Sequence, residues 1–174
     1  CRAYFFSNRF CSMQLNNIKI KDNLLSKKDI KNIYDFCKNQ TFSRTETDDN
    51  NNMHTGLVCD LDKNEGVVNF LLKATNTSKD KLIRSYINLF LPNEQAYFHQ
   101  DKQNNEKTTT ILYYVNNEPS NLNDLGETFF YINNEIRGIQ PVPGRIIIFN
   151  GDIWHRASCL RNTDRFTIAL KVKG

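Results

Sequence analysis

Two hydrophobic periods divide this chain. In residues 26–39, "SKKDIKNIYDFCKN", Ile30, Ile33, Tyr34 and Cys37 recur at helical spacing behind Ser26, whose hydroxyl suits an N-cap, so the pattern predicts an amphipathic helix. A second helix is expected to open near Asp62, where D-x-x-E has the form of a capping box. Val68, Leu71, Leu72 and Thr75 extend it, and Gly66 is its weak point. The polar stretch 45–56, "TETDDNNNMHTG", reads as a loop, either idle or closing over a substrate. From residue 82 the period changes to two. "LIRSYINLFL", "TTTILYYV", "ETFFYI", "GRIIIFN" and "RFTIALKV" read as short strands parted by turn-forming segments such as "LPNEQ", "NNEPSNLNDLG" and "NNEIRG". Helices followed by at least five strands imply an antiparallel sandwich or barrel with helices packed on one sheet.

Length and composition narrow the setting. The 174 residues fit one domain with a real core. No run of 18 apolar residues is present, so no membrane span is expected. The opening "CRAYFFSNRFCS" lacks the apolar stretch and cleavage site of a secretory signal. Residues 1–12 are expected to be an extension outside the fold, ahead of a single domain over 13–174 with a helical flank at 24–78 and a strand core at 82–173. Arg2 and Arg9 supply two of the four net positive charges, which leaves the domain nearly balanced and gives no electrostatic mandate for nucleic acid. Cys1, Cys11, Cys37, Cys59 and Cys159 are odd in number, scattered and never in C-x-x-C spacing, so free thiols and a reducing, cytoplasmic setting are expected. The sequence leaves oligomeric state open.

The candidate chemistry lies in "AYFHQDK", residues 96–102. In an extended backbone His99 and Asp101 share a face, so imidazole and carboxylate can converge on one point, a metal ion or plain solvent. His54, in the polar loop, reads as solvated. His155 follows the apolar run "IIIFNGDIW" and lies 54 residues after Asp101, room for several strands to bring it opposite. Two imidazoles and one carboxylate, with half the coordination sphere open, are the facial triad of non-haem Fe(II) oxygenases, and a structural zinc would want a fourth ligand. In "DRFTIALKV" the alternation sets Arg165, Thr167 and Ala169 on one face and Phe166, Ile168, Leu170 and Val172 on a core-facing other. An inward Arg165 wants a carboxylate, supplied by Asp152 or Glu127 or by a ligand. Trp154 reads as a packing residue at the barrel mouth and Arg145 as a turn residue with a surface charge.

With these residues in order, "HQD" at 99–101, a distal His155 and Arg165 ten positions on, the sequence over roughly 82–173 resembles the 2-oxoglutarate and Fe(II)-dependent dioxygenases. "TTTILYYVN", "LGETFFY" and "VPGRIIIF" are most similar to prolyl-4-hydroxylase-like members of viral and bacterial type, although Leu125 and Gly126 stand where relatives often have Gly-Gly. The resemblance implies a mainly β fold with N-terminal helices, a double-stranded β-helix of the jelly-roll, cupin-like kind. It implies His99, Asp101 and His155 as iron ligands, Arg165 and Tyr114 on the distal carboxylate of 2-oxoglutarate, and Thr167 beside them. The cofactors implied are Fe(II), 2-oxoglutarate and O2, with ascorbate as an auxiliary reductant. A protein or peptide substrate is expected, hydroxylated at a prolyl residue with release of succinate and CO2. "INLFLPNEQAYFHQDK" also resembles AlkB-type nucleic-acid dealkylases, in which Asn88 would contact 2-oxoglutarate; Phe90 replaces their tyrosine and their second C-terminal arginine has no counterpart. A hydroxylase of a free amino acid or small metabolite, and an inactive binding module, complete the alternatives.

Overall fold

A computed structural model describes residues 12–15, 17–48, 53–54, 56–101, 107–118 and 123–174. Strands β1 (Ser12–Leu15) and β2 (Ile18–Lys21) precede helix α1 (Lys27–Lys38). The pairs β3 (Thr47–Asp48) and β4 (Met53–His54), then β5 (Leu57–Asp60) and helix α2 (Gly66–Ala74), lead into the strand-rich half. That half contains β6 (Leu82–Phe90), β7 (Thr108–Tyr114), β8 (Thr128–Ile132), β9 (Glu135–Ile139), β10 (Ile146–Asn150), β11 (Trp154–Ala157) and β12 (Arg165–Lys173).

The larger sheet runs β1-β2-β10-β7-β12-β6-β5, and the smaller runs β11-β8-β9. Bridges Gln95↔Ser158 and His99↔His155 add the segment 95–99 beside β11 as a fourth line of the small sheet. Counting that segment, the chain from β6 to β12 passes repeatedly between the two sheets, with all ladders antiparallel. This is the double-stranded β-helix that the strand pattern and the resemblance led us to expect.

Alternation fixes which face of each strand meets which layer. Phe166, Ile168, Leu170 and Val172 of β12 join Ile87, Ile111 and Tyr113 in a core that Cys37 of α1 and Val68, Leu71 and Leu72 of α2 cover from outside. Tyr34 meets Phe166 edge to face at 5.9 Å, which locks α1 to the sheet. Between the sheets a second core holds Leu112, Tyr114, Phe130, Ile147, Phe149 and Ala169. The polar residues of the site line the interior beside this second core.

Several local expectations need correction. Ser26 caps α1 as expected, its hydroxyl accepting from the Asp29 N–H. Asp62, however, forms no capping box: its side chain accepts from the Asn64 N–H at 2.7 Å in an Asx turn, and the helix opens at Gly66, which is its first residue rather than an interior break. The flank 24–78 is not purely helical, because β5 pairs with β6 as an edge strand of the large sheet. The stretch 45–56 contains the ribbon β3-β4, in which His54 pairs with Thr47; residues 49–52 and 55 lie outside the described set. Residues 1–11 also lie outside it, and β1 starts at Ser12, the last residue of the expected extension. Arg145 is no free surface charge, since its guanidinium holds Asp22 through two hydrogen bonds of 2.9 Å and ties β10 to the end of β2. Trp154 does not pack into the mouth. It stands outward, 41 % exposed, opposite Tyr131 on the outer face of the small sheet. Cys37, Cys59 and Cys159 are free thiols.

Leu125, at the position where relatives often have glycine, adopts φ 62°, and Gly126 adopts φ 87°. A left-handed leucine costs about 1–2 kcal/mol, whereas glycine there costs about 0.5–1 kcal/mol through the unfolded chain. The 40 % exposed leucine side chain returns little of the difference. Leu125→Gly should therefore leave stability unchanged or raise it by up to about 1 kcal/mol. Urea unfolding checks this, and a loss greater than 1 kcal/mol would contradict it.

Candidate metal centre and cosubstrate cavity

His99 and His155 are 56 positions apart in sequence and directly opposite in space. The His99 N–H donates to the His155 carbonyl at 2.9 Å, and the His155 N–H returns a bond of 3.0 Å to the His99 carbonyl. This closed pair puts the two imidazoles on one face with ring centroids 4.4 Å apart. Asp101 is fixed by its own N–H, which donates to the Gly151 carbonyl at 2.8 Å. Gly151 has to be glycine, because a Cβ there would collide with Thr108 Oγ1 and crowd Asp101.

The donor atoms suit a divalent metal. His99 Nδ1 lies 3.0 Å from the Tyr97 carbonyl and His155 Nδ1 lies 2.9 Å from the Ile153 carbonyl. A carbonyl only accepts, so both Nδ1 atoms carry a proton and both Nε2 atoms turn inward, the form in which imidazole binds a metal. His99 Nε2 is 3.6 Å from Asp101 Oδ1, His155 Nε2 is 3.3 Å from Asp101 Oδ2, and the three ligand atoms lie within 4.8 Å of one another. No other such cluster of metal-binding side chains occurs among the described residues. Two imidazoles and one carboxylate leave half of an octahedron open. The access side is that of His99, whose side chain is 46 % exposed against 6 % for Asp101 and 9 % for His155.

Electrostatics favour the metal-binding forms of His99 and Asp101. Burial, then the neighbouring His155, lowers the pKa of His99 and favours its neutral imidazole. Burial opposes ionisation of Asp101, yet the Lys171 ammonium overcomes it and holds the carboxyl well below the usual carboxylate range. Lys171 pairs directly with Asp101 Oδ2, and Thr110 donates to the same oxygen at 2.6 Å.

Alongside the cluster lies a cavity of about 100 Å³, lined among others by Asn88, Phe90, Leu112, Thr128, Arg165 and Thr167. Arg165 is 1 % exposed. Neither Asp152 nor Glu127 is among its hydrogen-bond partners: Nε donates to the Gly126 carbonyl at 2.8 Å and one Nη to Thr128 Oγ1 at 3.0 Å. The ring of Tyr114 stands 5.5 Å from the guanidinium, and its hydroxyl donates to the same Thr128 oxygen at 2.7 Å. Burial pulls the pKa of Arg165 below its ordinary value, and an anion in the cavity would counter that cost. The structure thus brings His99, Asp101, His155, Arg165, Asn88 and Thr167 around one cavity, with Tyr114 behind it. Thr110, on the strand face of Tyr114, joins them, and Thr128, Tyr86 and Lys171 also line the cavity, Thr128 and Tyr86 without any local sequence signal that singled them out. Lys171 was within reach, since the alternation Arg165, Thr167, Ala169 continues to it.

No protein-family model matches the sequence, and no curated protein matches it. Among solved structures the fold is similar to a Pseudomonas putida prolyl-4-hydroxylase, with a TM-score of 0.73 at 12 % identity over 91 % of this chain and 93 % of that one. It is similar to a Trichoplax adhaerens prolyl hydroxylase solved with a hypoxia inducible factor oxygen degradation domain peptide, at a TM-score of 0.71 and 16 % identity over 91 % and 84 %. A viral collagen prolyl hydroxylase from Paramecium Bursaria Chlorella virus-1, solved as a 2-oxoglutarate complex, matches at 0.67 and 14 % identity over 91 % and 97 %. The chain therefore has the fold of the prolyl hydroxylases among the 2-oxoglutarate oxygenases.

The burial pattern predicts unequal costs for losing two ligands. His99→Ala removes a half-exposed ring and should cost under about 1 kcal/mol. Asp101→Ala strands the Lys171 ammonium and should cost about 3–5 kcal/mol. The ion pair also sets the sign with pH. A carboxylate with a depressed native pKa stabilises the fold above its unfolded pKa of about 3.9 and loses that contribution as pH falls through the native value. Unfolding curves of the two variants and an acid titration measure both effects; equal costs for the variants would refute the pairing.

Proposed function

We propose that this chain is a 2-oxoglutarate- and Fe(II)-dependent dioxygenase that hydroxylates a C–H bond, with a prolyl residue of a protein or peptide as substrate. The observation that carries the reading is one cavity holding both a three-donor cluster within 4.8 Å and a buried guanidinium. When bound, the iron supplies activation of O2 coupled to oxidative decarboxylation of 2-oxoglutarate to succinate and CO2.

The residues present fit that pair of groups. His99 Nε2, His155 Nε2 and a carboxylate oxygen of Asp101 hold the metal on one side. Arg165 binds the distal carboxylate of the cosubstrate, with its planar fork set by Gly126 and Thr128 and backed by Tyr114. Thr167 and Asn88 line the walls between these two ends. Phe90, Leu112 and Phe149 give the same cavity apolar walls that keep water out of it. Substrate approaches from the open His99 side. A peptide substrate is supported by the fold shared with prolyl hydroxylases, one of them solved with a peptide.

Anaerobic loading with Fe(II), followed by succinate measurement with ascorbate and a panel of proline-containing peptides, tests the reading. Turnover should vanish in His99→Ala. Arg165→Met should raise the KM for 2-oxoglutarate at least about tenfold, because a charged hydrogen bond contributes about 1.5–3 kcal/mol. Turnover that survives in His99→Ala would sink the metal assignment. Succinate release at background with every peptide offered would count against the prolyl substrate.

A further inference from the structure

Lys171 is the one buried lysine among the described residues, at 8 % exposure, and it belongs neither to the ligand trio nor to the cradle around Arg165. It faces the cavity six residues beyond Arg165 on the same side of β12. Its ammonium pairs with Asp101 Oδ2 and lies 3.3 Å from Thr110 Oγ1, which in turn donates to that oxygen at 2.6 Å. Tyr86 is its further partner, with the ring centre 5.9 Å from the ammonium. Oδ2 therefore receives two strong donors and has His155 Nε2 at 3.3 Å, whereas Oδ1 faces His99 Nε2 at 3.6 Å.

A carboxylate can hold a metal through one oxygen or both. With its lone pairs directed at the ammonium and the hydroxyl, Oδ2 is withheld, and Oδ1 is left to serve. We propose that Lys171 is a positioning residue that makes Asp101 a one-oxygen ligand and so keeps a coordination position free for the keto acid. This rests on the reading of the site as an Fe(II) and 2-oxoglutarate centre. The reason for a lysine here is geometric as well as electrostatic. A neutral side chain would leave the carboxylate free to turn both oxygens to the metal, and the buried negative charge would be compensated by the metal alone.

The test separates metal binding from keto-acid binding. Wild type, Lys171→Met, Lys171→Arg and Thr110→Val are titrated anaerobically with Mn(II) by calorimetry. The Fe(II)-loaded proteins are then titrated with 2-oxoglutarate, followed by the visible charge-transfer absorption that a chelated 2-keto acid gives. In Lys171→Met, Mn(II) should bind at least as tightly as in wild type while the 2-oxoglutarate midpoint rises at least tenfold. Lys171→Arg should restore most of the midpoint, and Thr110→Val should shift it a few-fold in the same direction. Folded Lys171→Met with an unmoved midpoint, or with metal affinity falling as far as the midpoint rises, overturns the proposal. If Lys171→Met does not fold, Thr110→Val decides alone: a raised midpoint with intact metal binding supports the proposal, and an unmoved one overturns it. Wild type that binds no divalent metal overturns the functional reading itself. Wild type that binds metal and keto acid normally leaves that reading standing whatever the variants show.

Discussion

The reciprocal hydrogen bonds between the backbones of His99 and His155 are the constraint on which the site depends. They make the segment 95–99 part of the small sheet, and they place two imidazoles with parallel purposes on the same face. A side-chain contact alone could not do this, because where an imidazole can reach is set by the backbone that carries it. The second tier, each Nδ1 against a carbonyl two residues back along the chain, fixes ring orientation and puts a proton on Nδ1. From one ladder pair follow the position, rotation and tautomer of two of the three donors.

The third donor is held by a different logic. Asp101 is attached to the turn at Gly151, whose missing Cβ lets Thr108 and the aspartate backbone come close. Its charge is compensated on the interior by Lys171, so a carboxylate with 6 % side-chain exposure stays ionised. A buried ion pair of this kind adds little net stability, since desolvation consumes most of the Coulombic gain. Its contribution is to geometry: a carboxylate of fixed charge and fixed rotation beside two imidazoles.

Much of this was legible from the residues. The period-two runs and the alternation along β12 showed which face of that strand is core and which is interior, because one residue of slip would have reversed every side chain. The histidine and aspartate candidates were readable because only three histidines exist and one pair sits two apart on an extended run. What escaped was long-range. Arg165 was expected to find Asp152, Glu127 or a ligand; that its fork is set by the Gly126 carbonyl and the Thr128 hydroxyl depends on how β8 crosses β12, and no local pattern encodes the crossing. Arg145 looked like a surface charge because its partner, Asp22, lies 123 residues away. Trp154 was expected to pack since tryptophan usually does, and it points outward because His155 takes the inward position next to it.

The two cations of β12 show how one strand can serve two purposes. Arg165 and Lys171 share a face and are both buried, so each carries a desolvation cost that some other group has to offset. For Lys171 the chain supplies the counter-charge itself, in Asp101. For Arg165 the direct hydrogen-bond partners are neutral oxygens, with two aromatic rings, Phe90 and Tyr114, at 6.0 and 5.5 Å and the Glu127 charge acting on it without a hydrogen bond. Neutral partners orient a guanidinium without cancelling its charge. The same cavity wall thus carries one cation tied to an acid of its own chain and another oriented mainly by neutral groups.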